Sequence, residues 1–341
     1  MTVRLAEPSV PSRRFHGTAA LFDLSLSENP FPPLPSVVAA VRDTLASANR
    51  YPEFLPERLP RLIAERLGVL ADEVVVGAGA TGVAMQILRA LAGGEIVSST
   101  PTFDGYPIMA EMAGMPLVSV PLDPAGQQDL AALRRAVHRR TALVVLCRPH
   151  NPTGTVLDAA AVRGFLAAIP RRVPVLLDEA YAEFLDPADR LDVDGLLRRH
   201  ANLLVLRTFS KAYGLAGLRI GYCVGRGELI ARVRGQQLPF GTPAAAAAAV
   251  RACYAADDEL RARVGHIRRE REELRMSLRA CWIDAPVSQA NFLYLPGPGV
   301  ATALRRAGIK AKPYPDGSAR ITVGDPTAGL AVHTALAGLR G

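Results

Sequence analysis

Residues of types that could do chemistry stand at the ends of two apolar runs. Asp178 ends one run, and Tyr181 comes three residues later. Lys211 follows another run after a short polar turn, and Arg219 stands eight residues further on. In open α/β sheets, ligands bind at the carboxyl ends of the strands. We therefore expect a carboxylate, an amine and a guanidinium to meet at one edge of a sheet.

Lysine is rare in this chain, which draws attention to Lys211. Of the 40 basic residues, 37 are arginine, and lysine occurs only at positions 211, 310 and 312. An amine can lose its proton near neutral pH and attack a carbonyl carbon, whereas arginine cannot. Lys211 is therefore a candidate nucleophile.

A glycine-rich segment follows an apolar strand at residues 77–82 and reads Gly-Ala-Gly-Ala-Thr-Gly. A helix begins there in the sequence pattern, and a helix N-terminus favours phosphate through its free N–H groups and positive dipole end. A tight turn without a ligand is one alternative. A dinucleotide site is another, but it needs an acid at the end of the next strand, which ends in residues 98–100, Ser-Ser-Thr.

These three features together fit pyridoxal phosphate. That cofactor needs a lysine for its aldehyde, a carboxylate that keeps its pyridine nitrogen protonated, and donors for its phosphate. Each residue alone has an ordinary explanation: Asp178 as a helix cap, Lys211 as a solvated side chain and Tyr181 as part of the core. Their occurrence together favours the cofactor site.

The elements that must position these residues alternate between strands and helices. This alternation is typical of a mostly parallel sheet with helices on both faces, an α/β fold. Ser36 is expected to cap an early helix that ends near Ala48. The predicted strands are 73–76, 95–98, 117–120, 143–146, 173–177, 203–206 and 220–224.

The pattern changes after Pro239 to that of a smaller α+β unit. Its predicted elements are helices at 244–256 and 257–278, a strand at 291–295, a helix near 300–307 and a strand at 320–323. We expect an N-terminal arm over residues 1–30 that joins the small domain, a large domain over 31–240, and a small domain over 241–341.

Composition excludes several classes of protein. The chain has 341 residues, 49% of them hydrophobic, and a mean hydropathy of +0.15, so a sizeable core is expected. No apolar run is long enough to span a membrane, and the first 17 residues lack a signal-peptide core, so we expect a cytoplasmic protein. The four cysteines form no CxxC pair, which argues against zinc or a disulfide framework. The net charge of +8 is spread along the chain, so no nucleic-acid partner is expected.

Several motifs resemble the fold-type I pyridoxal phosphate-dependent aminotransferases, specifically the histidinol-phosphate aminotransferase-like group. They are RTFSKAYGLAGLRIG at 207–221, HNPTG at 150–154 and DEAY at 178–181. The resemblance extends over nearly the whole chain. Within the group, FPPLPSV at 31–37, RTFSKAY and SQANF at 288–292 are most similar to actinobacterial aromatic (phenylalanine) aminotransferases. The resemblance implies a mostly parallel seven-stranded sheet in a large domain, beside a smaller α+β domain.

The resemblance also implies a role for each matching residue. Lys211 would bind the cofactor and shuttle a proton between the substrate and the cofactor, and Asp178 would pair with the pyridine nitrogen. Asn151 and Tyr181 would donate to the phenolate oxygen, and Phe103 would stack on the ring. The implied phosphate contacts are the Ala80 and Thr81 amides with Thr208, Ser210 and Arg219.

Substrate and partner contacts follow from the same resemblance. Arg320 matches the arginine that takes the substrate α-carboxylate as a bidentate pair, and Asn29 and Lys312 are further expected substrate contacts. Tyr51 matches a residue that reaches the phosphate of the neighbouring subunit, which implies a homodimer with shared active sites. The expected partners are an amino acid and a 2-oxo acid, without metal, membrane or nucleic acid.

Two departures from the group bear on the substrate. His150 stands where related sequences have asparagine, and Lys312 where histidinol-phosphate enzymes use an arginine to bind the substrate phosphate. Lysine supplies charge but no planar fork. We therefore expect transamination between an aromatic amino acid, with phenylalanine favoured, and 2-oxoglutarate.

Four other functions remain open at this point. Histidinol-phosphate aminotransferase of histidine biosynthesis uses the same cofactor and is the nearest alternative. A decarboxylase of a phosphorylated amino acid would use a similar scaffold. A nicotinamide oxidoreductase built on residues 77–82 would leave Asp178, Lys211 and Arg219 without a role, and a non-catalytic binding protein would have no use for an intact cofactor site.

Overall fold

A seven-stranded sheet dominates the fold in a computed structural model, which describes residues 21–340. The strands of this part of the chain are β1 (Phe22–Asp23), β2 (Val74–Ala78), β3 (Glu95–Thr100), β4 (Leu117–Pro121), β5 (Thr141–Cys147), β6 (Val175–Asp178), β7 (Leu203–Thr208), β8 (Ile220–Gly225), β9 (Phe292–Leu295), β10 (Ile309–Lys310), β11 (Lys312–Pro313) and β12 (Ala319–Thr322). The helices are α1 (Pro35–Thr44), α2 (Arg58–Leu67), α3 (Gly79–Ala90), α4 (Gly105–Met112), α5 (Leu130–Ala136), α6 (Ala159–Ala168), α7 (Val193–Arg199), α8 (Gly227–Arg234), α9 (Ala245–Ala255), α10 (Asp257–Arg279), α11 (Val300–Arg306) and α12 (Pro326–Ala337).

The strand order of the central sheet is β2-β8-β7-β6-β5-β3-β4. All its neighbouring pairs are parallel except those that β8 makes with β2 and β7. The middle strands are covered on both faces, and Val144, Leu176 and Val205 are fully buried. Strands of this kind read as continuous apolar runs, which is why the sequence predicted all seven. The mostly parallel α/β sheet is confirmed.

Helix α1 begins earlier than the sequence predicted. Its N-cap is Leu34, with no side-chain cap, and Pro35 occupies the first helical position, so Ser36 lies inside the first turn. Proline is favoured there because its φ angle suits a helix and its missing N–H would have no partner. The α-helix ends at Thr44, and a 3₁₀ turn covers Leu45–Ser47.

A second core forms around the C-terminal elements. Strands β11, β12 and β9 make an antiparallel sheet, and α10 and α12 supply buried residues such as Leu278 and Val332. Strand β1 pairs in parallel with β10, and Leu24 packs into this core. Residues 21–24 of the expected arm thus attach to the C-terminal unit, while residues 1–20 lie outside the described part.

Helix α9 packs differently from the expected domain division. Its buried face, which includes Ala249 and Val250, belongs to the core that also contains Val37 of α1 and Ile63 of α2. A boundary at residue 240 would separate α9 from this core. We therefore propose that the large domain extends to residue 256, because a domain keeps its own buried core. The other boundaries of the arm and of the two domains stay predictions.

Across residues 21–340, the structure contains no helix long and apolar enough to cross a membrane.

Candidate active site

A cavity of about 540 Å³ opens at the carboxyl edge of the central sheet, where the C-terminal unit and residues 25–28 close over it. Twelve of the fourteen residues expected to form the site line this cavity. They are Ala80, Thr81, Phe103, Asn151, Asp178, Tyr181, Thr208, Ser210, Lys211, Arg219, Lys312 and Arg320. The fold therefore brings together residues that are far apart in the chain.

Asp178 ends strand β6 and is buried at the floor of the cavity. One carboxylate oxygen accepts a hydrogen bond from the Tyr106 hydroxyl at 2.6 Å, and the other accepts from the Ala180 N–H at 3.0 Å. Burial raises the pKa of Asp178 although both hydrogen bonds oppose the change. A cation placed against this carboxylate would stabilise its charged form, and a protonated pyridine nitrogen is such a cation.

Lys211 lies in the turn that follows strand β7, lines the cavity and is half-buried. Its Nζ donates to the carbonyl oxygens of Leu26 at 3.3 Å and Ser27 at 3.1 Å. Burial and the nearby positive charge of Arg320 lower the pKa of Lys211 to about 8. A sizeable share of the amine is therefore neutral in mildly alkaline solution, the form that attacks an aldehyde.

The first turn of α3 and the start of β8 approach each other closely beside the cavity. A Cβ at Gly79 would collide with the Arg219 guanidinium, and one at Gly221 would collide with the Ala80 backbone. Arg219 itself has a φ of 53°, in the left-handed region, and its carbonyl accepts from the Gly79 N–H at 3.0 Å. Strain of this kind is retained where function requires the geometry. This backbone conformation places the Arg219 guanidinium beside the free N–H groups of Ala80 and Thr81.

Two hydroxyl groups complete this polar corner. Thr208 and Ser210 are buried, with their side-chain oxygens 3.0 Å apart, and the Thr208 oxygen accepts from the Ser210 N–H at 3.1 Å. Helix N–H groups, hydroxyls and a guanidinium form a donor set without a carboxylate, which suits a phosphate.

Arg320 is buried beside Asn151 and Tyr181. Its two terminal nitrogens donate to Asn151 Oδ1 at 2.6 Å and to the Ser25 carbonyl at 2.7 Å, while its Nε has no hydrogen-bond partner within residues 21–340. An Arg–carboxylate pair would satisfy that donor. The Asn151 amide donates to the Tyr181 hydroxyl at 3.5 Å, and burial raises the pKa of Tyr181 to about 12, so the hydroxyl stays protonated.

Two expected site residues do not line the cavity. The Asn29 amide donates to the carbonyl oxygens of Lys211 and Ala212, at 3.1 and 2.9 Å, so it holds the main chain of the lysine and has no free side chain to offer a substrate. Tyr51 is 83% exposed and contacts the Phe240 ring at 4.7 Å. Within one chain it does not reach the site.

Sequence reasoning missed Tyr106 and Asp104. Tyr106 is separated from Asp178 by 72 positions, and only the packing of α4 on the sheet brings the two together. Asp104 forms an ion pair with Lys312 at the cavity. Neither residue lies at the end of a strand or in one of the motifs shared with the aminotransferases. The sequence near each residue therefore gave no indication of its role.

His150, one of the two departures from related sequences, lies behind the cavity and is fully buried. Its ring nitrogens contact the hydroxyls of Thr153 at 2.9 Å and Ser99 at 3.4 Å. Burial lowers the pKa of His150 to about 3, so the ring is neutral and acts as a hydrogen-bonding part of the loop that carries Asn151.

This arrangement fits pyridoxal phosphate: a lysine, a buried carboxylate without its own cation, and a phosphate cradle share one cavity. The described residues contain no group of three or more side chains suited to a metal ion. A doubly covered sheet with this site at its carboxyl edge defines a pyridoxal phosphate-dependent transferase of fold type I.

Comparison with known proteins makes the assignment more specific. The family model for aminotransferase class I and II matches residues 19–330, and the chain belongs to this family. It is 40% identical to an aromatic amino acid aminotransferase of Streptomyces avermitilis, over 89% of this chain and 86% of that one. It is 47% identical to an aromatic amino acid aminotransferase of Cutibacterium acnes, over 82% and 80%. The structure of histidinol-phosphate aminotransferase from Sinorhizobium meliloti in complex with pyridoxal-5'-phosphate aligns with a TM-score of 0.85 and 28% identity, over 93% and 90%. The protein is a pyridoxal phosphate-dependent aminotransferase.

Proposed function

We propose that this aminotransferase moves an amino group between an aromatic amino acid, with phenylalanine favoured, and 2-oxoglutarate. The relatives that are 40% and 47% identical carry the name aromatic amino acid aminotransferase, which supports this substrate class. The observation that carries the proposal is the ion pair between Lys312 and Asp104.

This ion pair changes what the cavity can bind. The resemblance to histidinol-phosphate aminotransferases places Lys312 where those enzymes use an arginine for the substrate phosphate. In this chain the Lys312 ammonium forms an ion pair with Asp104. A phosphate removed from water needs paired cationic donors, and it would also meet the negative charge of Asp104. A flat hydrocarbon ring needs only apolar walls, and Phe103, Met109 and Tyr314 line the same cavity. The charges and apolar walls of the cavity therefore favour the binding of aromatic amino acids over that of histidinol phosphate.

The remaining residues have roles that their positions support. When bound, the cofactor supplies a ring that accepts electrons from the substrate α-carbon. Asp178 would hold a proton on the pyridine nitrogen, and the Lys211 amine would take the proton from the α-carbon and return it to the cofactor side. Arg320 would orient the substrate through its α-carboxylate, with its unpaired Nε available as a donor.

Substrate choice is tested with three proteins. We expect wild-type kcat/KM for phenylalanine to exceed that for histidinol phosphate, with 2-oxoglutarate as acceptor. Asp104→Asn frees the Lys312 charge and should lower this ratio by about tenfold, which corresponds to about 1.4 kcal/mol. Lys312→Arg adds a planar fork and should shift the ratio in the same direction.

Asp284→Asn is the matched control, because Asp284 pairs with Arg279 at 3.3 Å and neither residue lines the cavity. Its ratio should equal that of the wild type. A wild-type ratio below one would replace the aromatic assignment with histidinol-phosphate aminotransferase. An unchanged ratio in Asp104→Asn would show that the ion pair does not set the choice.

We also propose a homodimer in which Tyr51 completes the active site of the partner subunit. Tyr51 lies in an exposed apolar patch with Phe54 and Phe240, which are 61% and 42% exposed, and both other rings pack on Phe240. Contiguous exposed apolar surface of this kind marks association sites. A twofold arrangement would bury the patch on both subunits.

Shared sites make a definite prediction for hybrid dimers. Lys211→Ala and Tyr51→Ala chains, co-expressed with different tags and purified through both, should give a dimer with one intact site. Its activity should reach about half that of the wild type, far above either parent. Activity no higher than the mean of the two parents would place Tyr51 outside the shared site, and a fully active monomer would exclude the dimer requirement.

A further inference from the structure

Another cavity, of about 650 Å³, lies at the edge of the central sheet opposite the active site. Its walls come from the end of α6, the loops that enter β6 and β7, the end of α7 and the start of α8. Apolar side chains, among them Leu166, Ile169 and Leu229, line one part of it. Its volume is within the range of small-molecule sites.

Five arginines line this cavity: Arg171, Arg172, Arg198, Arg199 and Arg232. Only Arg198 has a carboxylate partner, Asp194, whereas the guanidinium groups of Arg172 and Arg232 donate to neutral carbonyl oxygens. The guanidinium groups of Arg171 and Arg199 are exposed and form no hydrogen bond or ion pair with any residue between 21 and 340. The single acidic side chain in the lining is Glu228. Most of the positive charge is therefore uncompensated.

The topology concentrates this charge. Arginine doublets at 139–140, 171–172 and 198–199 each lie just before one of the strands β5, β6 and β7. These strands are consecutive neighbours in the sheet, so the three doublets form a row along its amino-terminal edge. Arg140 pairs with Glu95, and the doublets at 171–172 and 198–199 line the cavity. Like charges held side by side repel each other, and a bound anion would relieve that repulsion.

His200 also lines this cavity, and its imidazole is affected by the positive charge of the neighbouring arginines. Burial and the guanidinium groups of Arg199 and Arg171 lower the pKa of His200. The imidazole is thus disfavoured as a further cation, and as a neutral ring it can still donate one hydrogen bond.

We propose that this cavity binds a ligand with several phosphate groups, such as a nucleoside triphosphate or an inorganic polyphosphate. Guanidinium groups bind phosphate oxygens through paired hydrogen bonds, and several in one cavity suit a chain of phosphates better than a single carboxylate. The apolar part of the wall offers room for a base. The site is separate from the cofactor cavity and independent of the substrate assignment.

Calorimetry on the holoenzyme tests this proposal, with excess pyridoxal phosphate and 3-phenylpropionate present to fill the active site. Tripolyphosphate and ATP should both bind at 150 mM salt, and AMP should bind more weakly. A ratio of ATP to tripolyphosphate affinity well above one would identify a nucleotide site, and equal affinities a polyphosphate site. The double variant Arg171→Ser/Arg199→Ser should weaken binding at least about tenfold, because two unpaired guanidinium groups are removed.

The matched control is Arg305→Ser/Arg306→Ser, an exposed doublet in the last turn of α11 that removes the same charge elsewhere. Its affinity should equal that of the wild type. If both double variants lost the same affinity, the loss would be explained by net charge alone, and the proposal would be overturned. Absence of tripolyphosphate binding to the wild type would overturn it directly. Neither outcome bears on transamination, which all these variants should retain.

Discussion

Replacement of Lys211 by alanine should lower kcat/KM for transamination by about 10⁴-fold or more. Proton transfer by a positioned base alone contributes about 10²–10⁴-fold, and covalent capture of the cofactor is lost in the same step. Initial rates with phenylalanine and 2-oxoglutarate measure the loss. Methylamine in the assay restores a primary amine, and partial recovery is expected if the lysine acts as the proton carrier.

Lys310→Ala is the matched control, because Lys310 lines the same cavity but its amine pairs with Asp23 and has no part in the proposed chemistry. It should keep nearly full activity. Borohydride reduction followed by peptide mapping should place the cofactor on Lys211. A labelled peptide that contains Lys310 or Lys312 without Lys211 would contradict the assignment.

Asp178→Asn should lower kcat by about 10²–10³-fold. The change preserves size but removes a buried negative charge, and the removal of one preorganised electrostatic group from an active site costs about 10²–10³-fold in kcat. The pyridine nitrogen would then lose the anion that keeps it protonated. Rapid-quench rates and cofactor affinity, measured on the same preparation, separate the loss in chemistry from a loss in binding.

Tyr106→Phe is a milder change at the same site, and its effect on kcat can be compared with that of Asp178→Asn. It removes one hydrogen bond to Asp178, which is worth about 1.5–3 kcal/mol when the acceptor is charged, and leaves the carboxylate in place. Its effect on kcat should be smaller than that of Asp178→Asn. Activity of Asp178→Asn within threefold of the wild type would remove the carboxylate from the mechanism.

The strands of the central sheet could be predicted from the sequence because each is buried on both faces. Val144 and Val205 lie in apolar runs that alternate with helical segments, and that alternation determines a parallel sheet. Parallel strands also align their carboxyl ends, so Asp178 and Lys211 could be expected at one edge. Strands β1 and β11, each of two residues, are too short to carry a pattern.

Contacts between distant side chains were decided only by the tertiary structure. The Arg320 guanidinium meets Asn151 across 169 positions, and Asn29 turns to the main chain beside Lys211. The Asp104–Lys312 pair joins the start of helix α4 to strand β11 of the C-terminal unit. The sequence by itself determined which residue types stand at the strand ends. The partner of each side chain depends on strand order and on the packing of the two units, because hydrogen bonds and ion pairs act over a few ångströms and leave no periodic trace along the chain.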